Sequence, residues 1–248
     1  MTGTARRCAA GALLLFGVGV GSPVATQTDG TSRFRVFHHG EEIGFTAVSL
    51  TRDEDGWHLE GSGELKGEFQ FVLRQLDVRY DAAWRPRFMT LELATPALQR
   101  LLGRGPEDHV VVHVAFGLAD GGTRTDIVRS SNADWGSNQV SPDTIPLPDL
   151  VFGAYEALAA RLSLASPGAE LRAFVVPRFE ATVSVDGVTD EAVRTSSVTL
   201  QTKRWRATVR RPEGPVSLDI WVERGRMIRL DLPKDGITVI RQDVAWGQ

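Results

Sequence analysis

The sequence has almost no cysteine, and this absence excludes several kinds of chemistry. Cys8 is the only cysteine among 248 residues. It precedes an apolar run, whereas the acylated cysteine of a lipoprotein follows one. Once a leader that contains Cys8 is removed, the chain has no disulfide, no thiol nucleophile and no thiolate metal site. The folded part is therefore expected to be held together by burial alone.

The sequence also lacks an excess of positive charge. It carries 28 lysines and arginines against 31 aspartates and glutamates, which gives a net charge of −3 and an isoelectric point near 6.0. Nucleic-acid-binding domains are typically basic, so no nucleic-acid partner is expected. One basic run late in the chain fits the solvated face of a strand better than a polyanion site. The run comprises Lys203, Arg204, Arg206, Arg210 and Arg211.

No apolar run reaches the ~18 residues that a membrane helix needs. Near the N terminus, Arg6 and Arg7 precede an uncharged apolar segment at residues 9–20, and small or polar residues follow at 22–27. This order of segments is typical of a secretory signal peptide.

The signal peptide sets the expected domain organisation and location. We expect it to span residues 1–27, with cleavage after Ala25 or after Gln27. Residues 28–248 are then a single β-rich domain, exported to the periplasm or out of the cell. No transmembrane segment is expected in it.

Motifs for catalysis or metal binding are lacking as well. His109 and His113 lie in a strand-like segment, where residues four apart are too distant to share one ion. His58 alternates with apolar neighbours and is expected to point outward. Around Ser62 the glycines of a nucleophile elbow are replaced by Glu60 and Glu64. We therefore expect no catalytic residue, no metal site and no cofactor.

What the sequence does contain is a long series of strands and turns. Turn sequences such as Asp53-Glu54-Asp55-Gly56 alternate with segments of period-2 apolar residues, which favours an antiparallel meander over βαβ units. Roughly a dozen strands are indicated, and open sheets wider than about 10 strands tend to curl or close. The predicted fold class is mainly β: a single large curved antiparallel sheet, a half-barrel or barrel-like meander, wrapping one central α-helix.

One segment has a helical pattern. Apolar residues at Val151, Tyr155, Leu158 and Leu162 form one stripe, which predicts a helix over about 150–164. Asp149 is the expected N-cap. The stripe is expected to pack on the concave face of the sheet.

The segment before this helix, residues 131–148, is polar and rich in turns and is predicted to be a long loop. Connections of this length are usually functional or disordered. Trp135 and Asn132 in the loop, together with Tyr155 on the helix, are the candidate ligand-contacting residues. The alternative is a plain surface loop with Trp135 folded onto the core.

Three stretches resemble a large group of exported bacterial β-rich domains. They are Phe34-x-Val36 with Gly40-x-x-Ile43-Gly44; Tyr155-x-x-Leu158-x-x-Arg161-Leu162 with Gly168; and Asp219–Val222 with Arg226–Arg229, Pro233, Gly236-Ile237 and Arg241–Asp243. Such domains occur alone or in front of a serine hydrolase, and the first stretch resembles the half-barrel of periplasmic lipoprotein carriers. The resemblance covers most of residues 32–244. It implies a curved antiparallel sheet around a helix and assigns no functional residue.

Three functions remain open at this point. The first is a non-enzymatic cell-envelope binding module whose apolar concave face takes a lipid-like or other apolar ligand. The second is a structural or protein-interaction domain with a helix-filled interior. The third is a link to hydrolases, either as a hydrolase that uses the loop from Ser130 to Trp135 or as an accessory domain related to hydrolases.

Export can be tested directly. Replacing Leu13, Leu14 and Leu15 with charged residues should block processing, because this segment must partition into an apolar environment. The measurement is the size and location of the protein in fractionated cells. Mature-size protein outside the cytoplasm in this variant would contradict the signal peptide.

Overall fold

The computed structural model describes residues 30–94, 110–118, 122–129 and 133–244. Within these residues fifteen strands form one sheet, which confirms the predicted mainly β class. The strands are β1 (Gly30–His38), β2 (Glu41–Arg52), β3 (Trp57–Leu65), β4 (Phe71–Tyr80), β5 (Pro86–Ala94), β6 (Val110–Ala115), β7 (Thr123–Arg129), β8 (Ala133–Asn138), β9 (Ile145–Pro146), β10 (Glu170–Val175), β11 (Phe179–Arg194), β12 (Thr199–Arg211), β13 (Gly214–Glu223), β14 (Arg226–Leu232) and β15 (Ile237–Arg241).

The sheet consists of two meanders that meet in its middle. Strands β1 to β8 run outward in chain order to one edge, and β9 to β15 run from the other edge back to the centre. There β1 pairs with β15, with Phe34 opposite Arg241 and His38 opposite Ile237. Every pairing is antiparallel except the two-residue ladder between β9 and β10, which is parallel.

The turn predicted at Asp53–Gly56 forms as expected. At the turn between β2 and β3, the Asp53 carboxylate accepts hydrogen bonds from the amides of Asp55 and Gly56, both at 2.9 Å. Gly56 has a φ of 146°, a conformation that side chains rarely adopt. A Cβ there would lie 2.2 Å from the Tyr80 carbonyl oxygen, so the turn depends on glycine.

The sheet is strongly curved. Phe116 follows β6 and Phe174 lies in β10, and ten strands separate these two in the sheet order. Nevertheless their rings meet edge to face with centroids 6.3 Å apart. Arg85, after β4, also forms an ion pair with Asp143, before β9, at 2.7 Å. Such contacts require the two halves to bend toward each other around the concave face, although no described strand of one edge pairs with the other edge.

The concave face holds the α-helix of the described residues, α1 (Tyr155–Leu162), preceded by a 3-10 turn at Phe152–Ala154. Seven of its eight residues are buried, and Arg161 is half-buried. A helix that is buried all round needs no polar face, and three alanines fill its sides. Gly153 allows the chain to pack closely on β2. A Cβ at this position would lie only 2.5 Å from the Val48 side chain.

The helix is shorter than the predicted span of 150–164. Leu150 has a φ of 63°, and Val151 is outside the helical region, so no helical turn can begin there. The predicted N-cap is also wrong. The Asp149 carboxylate instead forms ion pairs with Arg178 and Arg211, and no side chain of the described residues caps the start of this helix.

A buried ion pair anchors the helix to the sheet. Glu156 is fully buried and Arg226 of β14 is 7% exposed. The guanidinium donates to both carboxylate oxygens, from Nη2 to Oε1 at 3.2 Å and from Nε to Oε2 at 3.3 Å. The amide of Met227 donates to Oε2 at 3.0 Å, and Arg226 also reaches the Ser32 hydroxyl of β1 at 3.1 Å. The carboxylate is thus satisfied without water.

The predicted loop over residues 131–148 contains two strands, so that prediction is wrong in part. Strand β8 pairs with β7, with Trp135 opposite Asp126 and Gly136 opposite Thr125. Strand β9 pairs with β10. The turn-rich composition hid both, because glycine and proline weaken the pattern of a strand. Among the described residues, no helix has the length and apolar character needed to cross a membrane.

Two leucines near the helix make a matched test of its burial. Leu158→Ala should lower the free energy of unfolding by about 2–5 kcal/mol, because the fully buried side chain leaves a cavity. Leu164 lies just past the helix and is 63% exposed. Leu164→Ala should change the free energy by less than about 0.5 kcal/mol. Urea unfolding measures both, and equal small losses would place the helix on the periphery.

The buried ion pair gives a second stability prediction. Glu156→Leu should cost about 3–5 kcal/mol, because it leaves the Arg226 guanidinium buried without its carboxylate. Adding Arg226→Met should recover much of that loss. Asp190→Ala is the control: it breaks an exposed pair with Lys203 and should cost at most about 1 kcal/mol. A Glu156 loss as small as that of the control would contradict this role.

Candidate functional site

A groove opens on the concave side where the helix stops. The α1 helix ends at Leu162, and the next residue, Ser163, borders an open space together with residues of β11, β12 and β13. The space left between them has a volume of about 730 Å³ and is open to solvent along one side. Ser163 at the helix end forms one wall, and the β13–β14 turn forms another. A volume of several hundred Å³ is typical of a small-molecule site.

The floor of the groove is apolar. Trp205 of β12 and Val222 of β13 are 3% and 4% exposed, and Gln201 continues the same face of β12. The indole N–H of Trp205 is buried and has no hydrogen-bond partner in the part of the chain that the structure describes. An unpaired buried donor costs about 1–3 kcal/mol. This N–H has almost no accessible surface, so the groove is bordered by the apolar part of the Trp205 ring.

The rim of the groove carries charges of both signs. Lys203 and Asp190 face each other across β11 and β12 and form an exposed ion pair at 3.3 Å. Glu223 and Arg224 stand at the β13–β14 turn. These four charges cancel, so the groove favours no ion of one sign. Its apolar floor and polar rim suit an amphiphilic or apolar molecule.

Two exposed apolar side chains adjoin this rim. Leu164 is 63% exposed and directly follows Ser163, while Val198 is 55% exposed and directly precedes Thr199. Ser163 and Thr199 both line the groove. Large aliphatic side chains at a groove mouth extend the apolar surface that a ligand or partner can cover.

The three residues named from the sequence lie elsewhere or outside the described residues. Trp135 is in the middle of β8, at the edge of the sheet. Asn132 lies outside the described residues. Tyr155 is the first residue of α1, where burial raises the pKa of its hydroxyl to about 12, and it does not line the groove. The role of these residues in binding stays a prediction.

The basic run was interpreted as one solvated strand face, but β12 divides it between two faces. Lys203 and Arg211 point to the concave side, toward Asp190 and Asp149. Arg204 lies on the outer face, over the Trp221 ring at 4.9 Å, and donates to Asp219 at 2.8 Å. This division follows from the alternation of side chains along a strand. In the sequence, the alternation of Trp205 with charged residues is the signal that could have indicated a groove-facing part of β12.

Two histidines on the outer face have side-chain partners. His58 Nε2 lies 3.0 Å from Asp77 Oδ1, and His113 Nδ1 lies 3.1 Å from Thr90 Oγ1. His109 and the Ser130 end of the hypothesised hydrolase loop lie outside the described residues. Neither histidine pair lines the groove. Among the described residues, no histidine side chain therefore lines the groove.

The comparisons with known proteins give one distant likeness. No family model and no curated protein matches the chain. The fold is similar to the crystal structure of a protein described as exported, with a YmcC-like fold, from Bacteroides fragilis NCTC 9343. The match has a TM-score of 0.33 and 7% identity, and it covers 89% of this chain and 97% of that chain. A likeness at this level carries no argument about function.

Proposed function

We propose that the protein is an exported, non-enzymatic binding module of the cell envelope, acting in the periplasm or outside the cell. Its proposed ligand is an apolar or amphiphilic molecule, and the proposed site is the groove at the end of α1. The observation that carries this proposal is the open volume of about 730 Å³ above the apolar floor of Trp205 and Val222. The N-terminal segment, with its basic, apolar and small residues in order, supports export.

The groove differs from the site expected from the sequence, which was an apolar concavity contacted by Trp135, Asn132 and Tyr155. The middle of the concave face is occupied by α1, whose Leu158 and Leu162 are fully buried. The space proposed for a ligand therefore lies beyond the helix end. There the sheet continues and the helix no longer covers it, so the ligand would lie between Ser163 and the β13–β14 turn.

A second candidate is a protein-interaction domain that takes no small ligand. The filled interior under the helix favours it, since seven of the eight helical residues are buried. In that case the exposed Leu164 and Val198 would belong to a protein interface. The two candidates differ in whether a small apolar molecule enters the groove.

A steric block of the groove tests the proposed function. The neutral fluorophore N-phenyl-1-naphthylamine is the probe, because it brightens in apolar surroundings and carries no charge. Wild-type protein should bind it saturably, and Gln201→Trp should weaken binding by about tenfold or more, because a bulky ring then fills the groove. The measurement is a fluorescence titration.

Ser217→Trp is the matched control for this experiment. Ser217 is exposed on β13 and pairs with Thr208, whose side chain is on the outer face with Asp186. The control should bind the probe as the wild type does, and thermal unfolding should show that both variants are folded. Equal binding by the two variants, or no saturable binding at all, would leave the interaction domain as the better function.

A further inference from the structure

Three potential metal ligands converge on the outer face of the sheet, away from the groove. His58 and Glu60 are two apart on β3, so their side chains share one face. Glu60 is directly opposite Asp77 of β4. One ligand atom from each of the three residues lies within 4.8 Å of the other two. The register of β3 against β4 thus gathers one imidazole and two carboxylates.

Two of the three side chains are already held in place. His58 and Asp77 have side-chain exposures of 17% and 22%, and their Nε2 and Oδ1 atoms are 3.0 Å apart. Trp57 and Leu59, on either side of His58, are buried in the core and fix the strand beneath it. Fixed ligands lose little conformational entropy when an ion binds. Glu60 is exposed, so its carboxylate is free to turn toward the other two.

The spacing suits a small transition-metal ion. With zinc-ligand distances of about 2.0–2.2 Å, tetrahedral geometry places ligand atoms about 3.4 Å apart. The His58–Asp77 distance of 3.0 Å is close to that value, and all three ligand atoms lie within 4.8 Å of one another, so a rotation of the exposed Glu60 side chain can complete the arrangement. Imidazole favours zinc and similar first-row metals over magnesium and calcium, which prefer oxygen ligands alone. Three protein ligands leave a position for water or for a group from a partner.

The surrounding charges also bear on the site. Glu60 and Asp77 together carry two negative charges. Arg79 is directly opposite His58 on the same face and is exposed. The positive charge of the guanidinium repels a bound cation and so weakens its binding. This repulsion falls with the distance between the two charges and with screening by solvent.

Other described histidines offer weaker ligand sets. His113 has a hydroxyl, that of Thr90, as its near partner at 3.1 Å. His38 has a single near carboxylate, that of Glu68, at 3.1 Å. These two residues serve as controls, because each resembles His58 in being half-buried on a strand.

We propose that His58, Glu60 and Asp77 bind one divalent first-row transition-metal ion, with zinc as the ion of best fit. The site joins β3 to β4 on the outer face and keeps at least one coordination position open. It is independent of the groove and of the ligand proposed for it. Zinc binding therefore survives a blocked groove, and groove binding survives loss of the metal ligands.

The test is calorimetric titration of zinc into the untagged mature protein after chelator treatment. One zinc per chain is expected, with no saturable binding of magnesium or calcium. His58→Gln and Asp77→Asn should each weaken zinc binding by about tenfold or more, since loss of even an outer partner of a ligand costs 10–100-fold. Arg79→Gln should strengthen binding, because it removes the opposing charge.

The controls are His113→Gln and His38→Gln, which should bind zinc as the wild type does. Circular dichroism and thermal unfolding of each variant without metal show that it is folded. Asp77→Asn keeps a hydrogen-bonding group of the same shape beside His58, so a loss of binding in that variant is a loss of ligation. Absence of saturable zinc binding, or an equal loss in the control variants, would overturn the proposal.

Discussion

The ion pair between Glu156 and Arg226 is the interaction on which the arrangement of the whole molecule depends. An unpaired charge in the core would be very costly, so the carboxylate and the guanidinium must stay together once the interior closes. Their bonds reach the helix, the start of β14 and, through Ser32, strand β1. Apolar packing alone would allow a helix to slide or rotate. The paired charges fix its position along the sheet, and hence the point at which the groove begins.

The groove results from a mismatch in length between this helix and the sheet around it. A sheet of fifteen strands curves until its two halves touch at Phe116 and Phe174, and it encloses more space than its own side chains fill. The helix fills the middle of that space with small and aliphatic residues. Beyond Leu162 no element of the described residues covers this part of strands β11 to β13, so Trp205 and Val222 face an open volume. Enclosure on one side and opening on the other is the geometry typical of a binding site.

The sequence predicted the parts of the fold that depend on neighbours along the chain. Period-2 alternation and turn residues identified the class and most strands, and the apolar stripe located the helix near Leu158. The helix start was wrong because the left-handed conformation of Leu150 has no counterpart in the sequence pattern. The groove and the His58 cluster could not be predicted. Both depend on register and curvature, and the β3–β4 register shifts at a bulge between Gly61 and Gly63.

The seam between β1 and β15 has a consequence for the order of folding. Within each meander, strands pair with their neighbours in sequence, so most contacts close short loops at low entropic cost. The seam joins Phe34 to Arg241 and closes a loop of about 200 residues, which makes it the most nonlocal pairing in the sheet. The two halves are therefore expected to form first as separate hairpin arrays with exposed inner faces. Their docking around the helix then completes the molecule in one late, cooperative step.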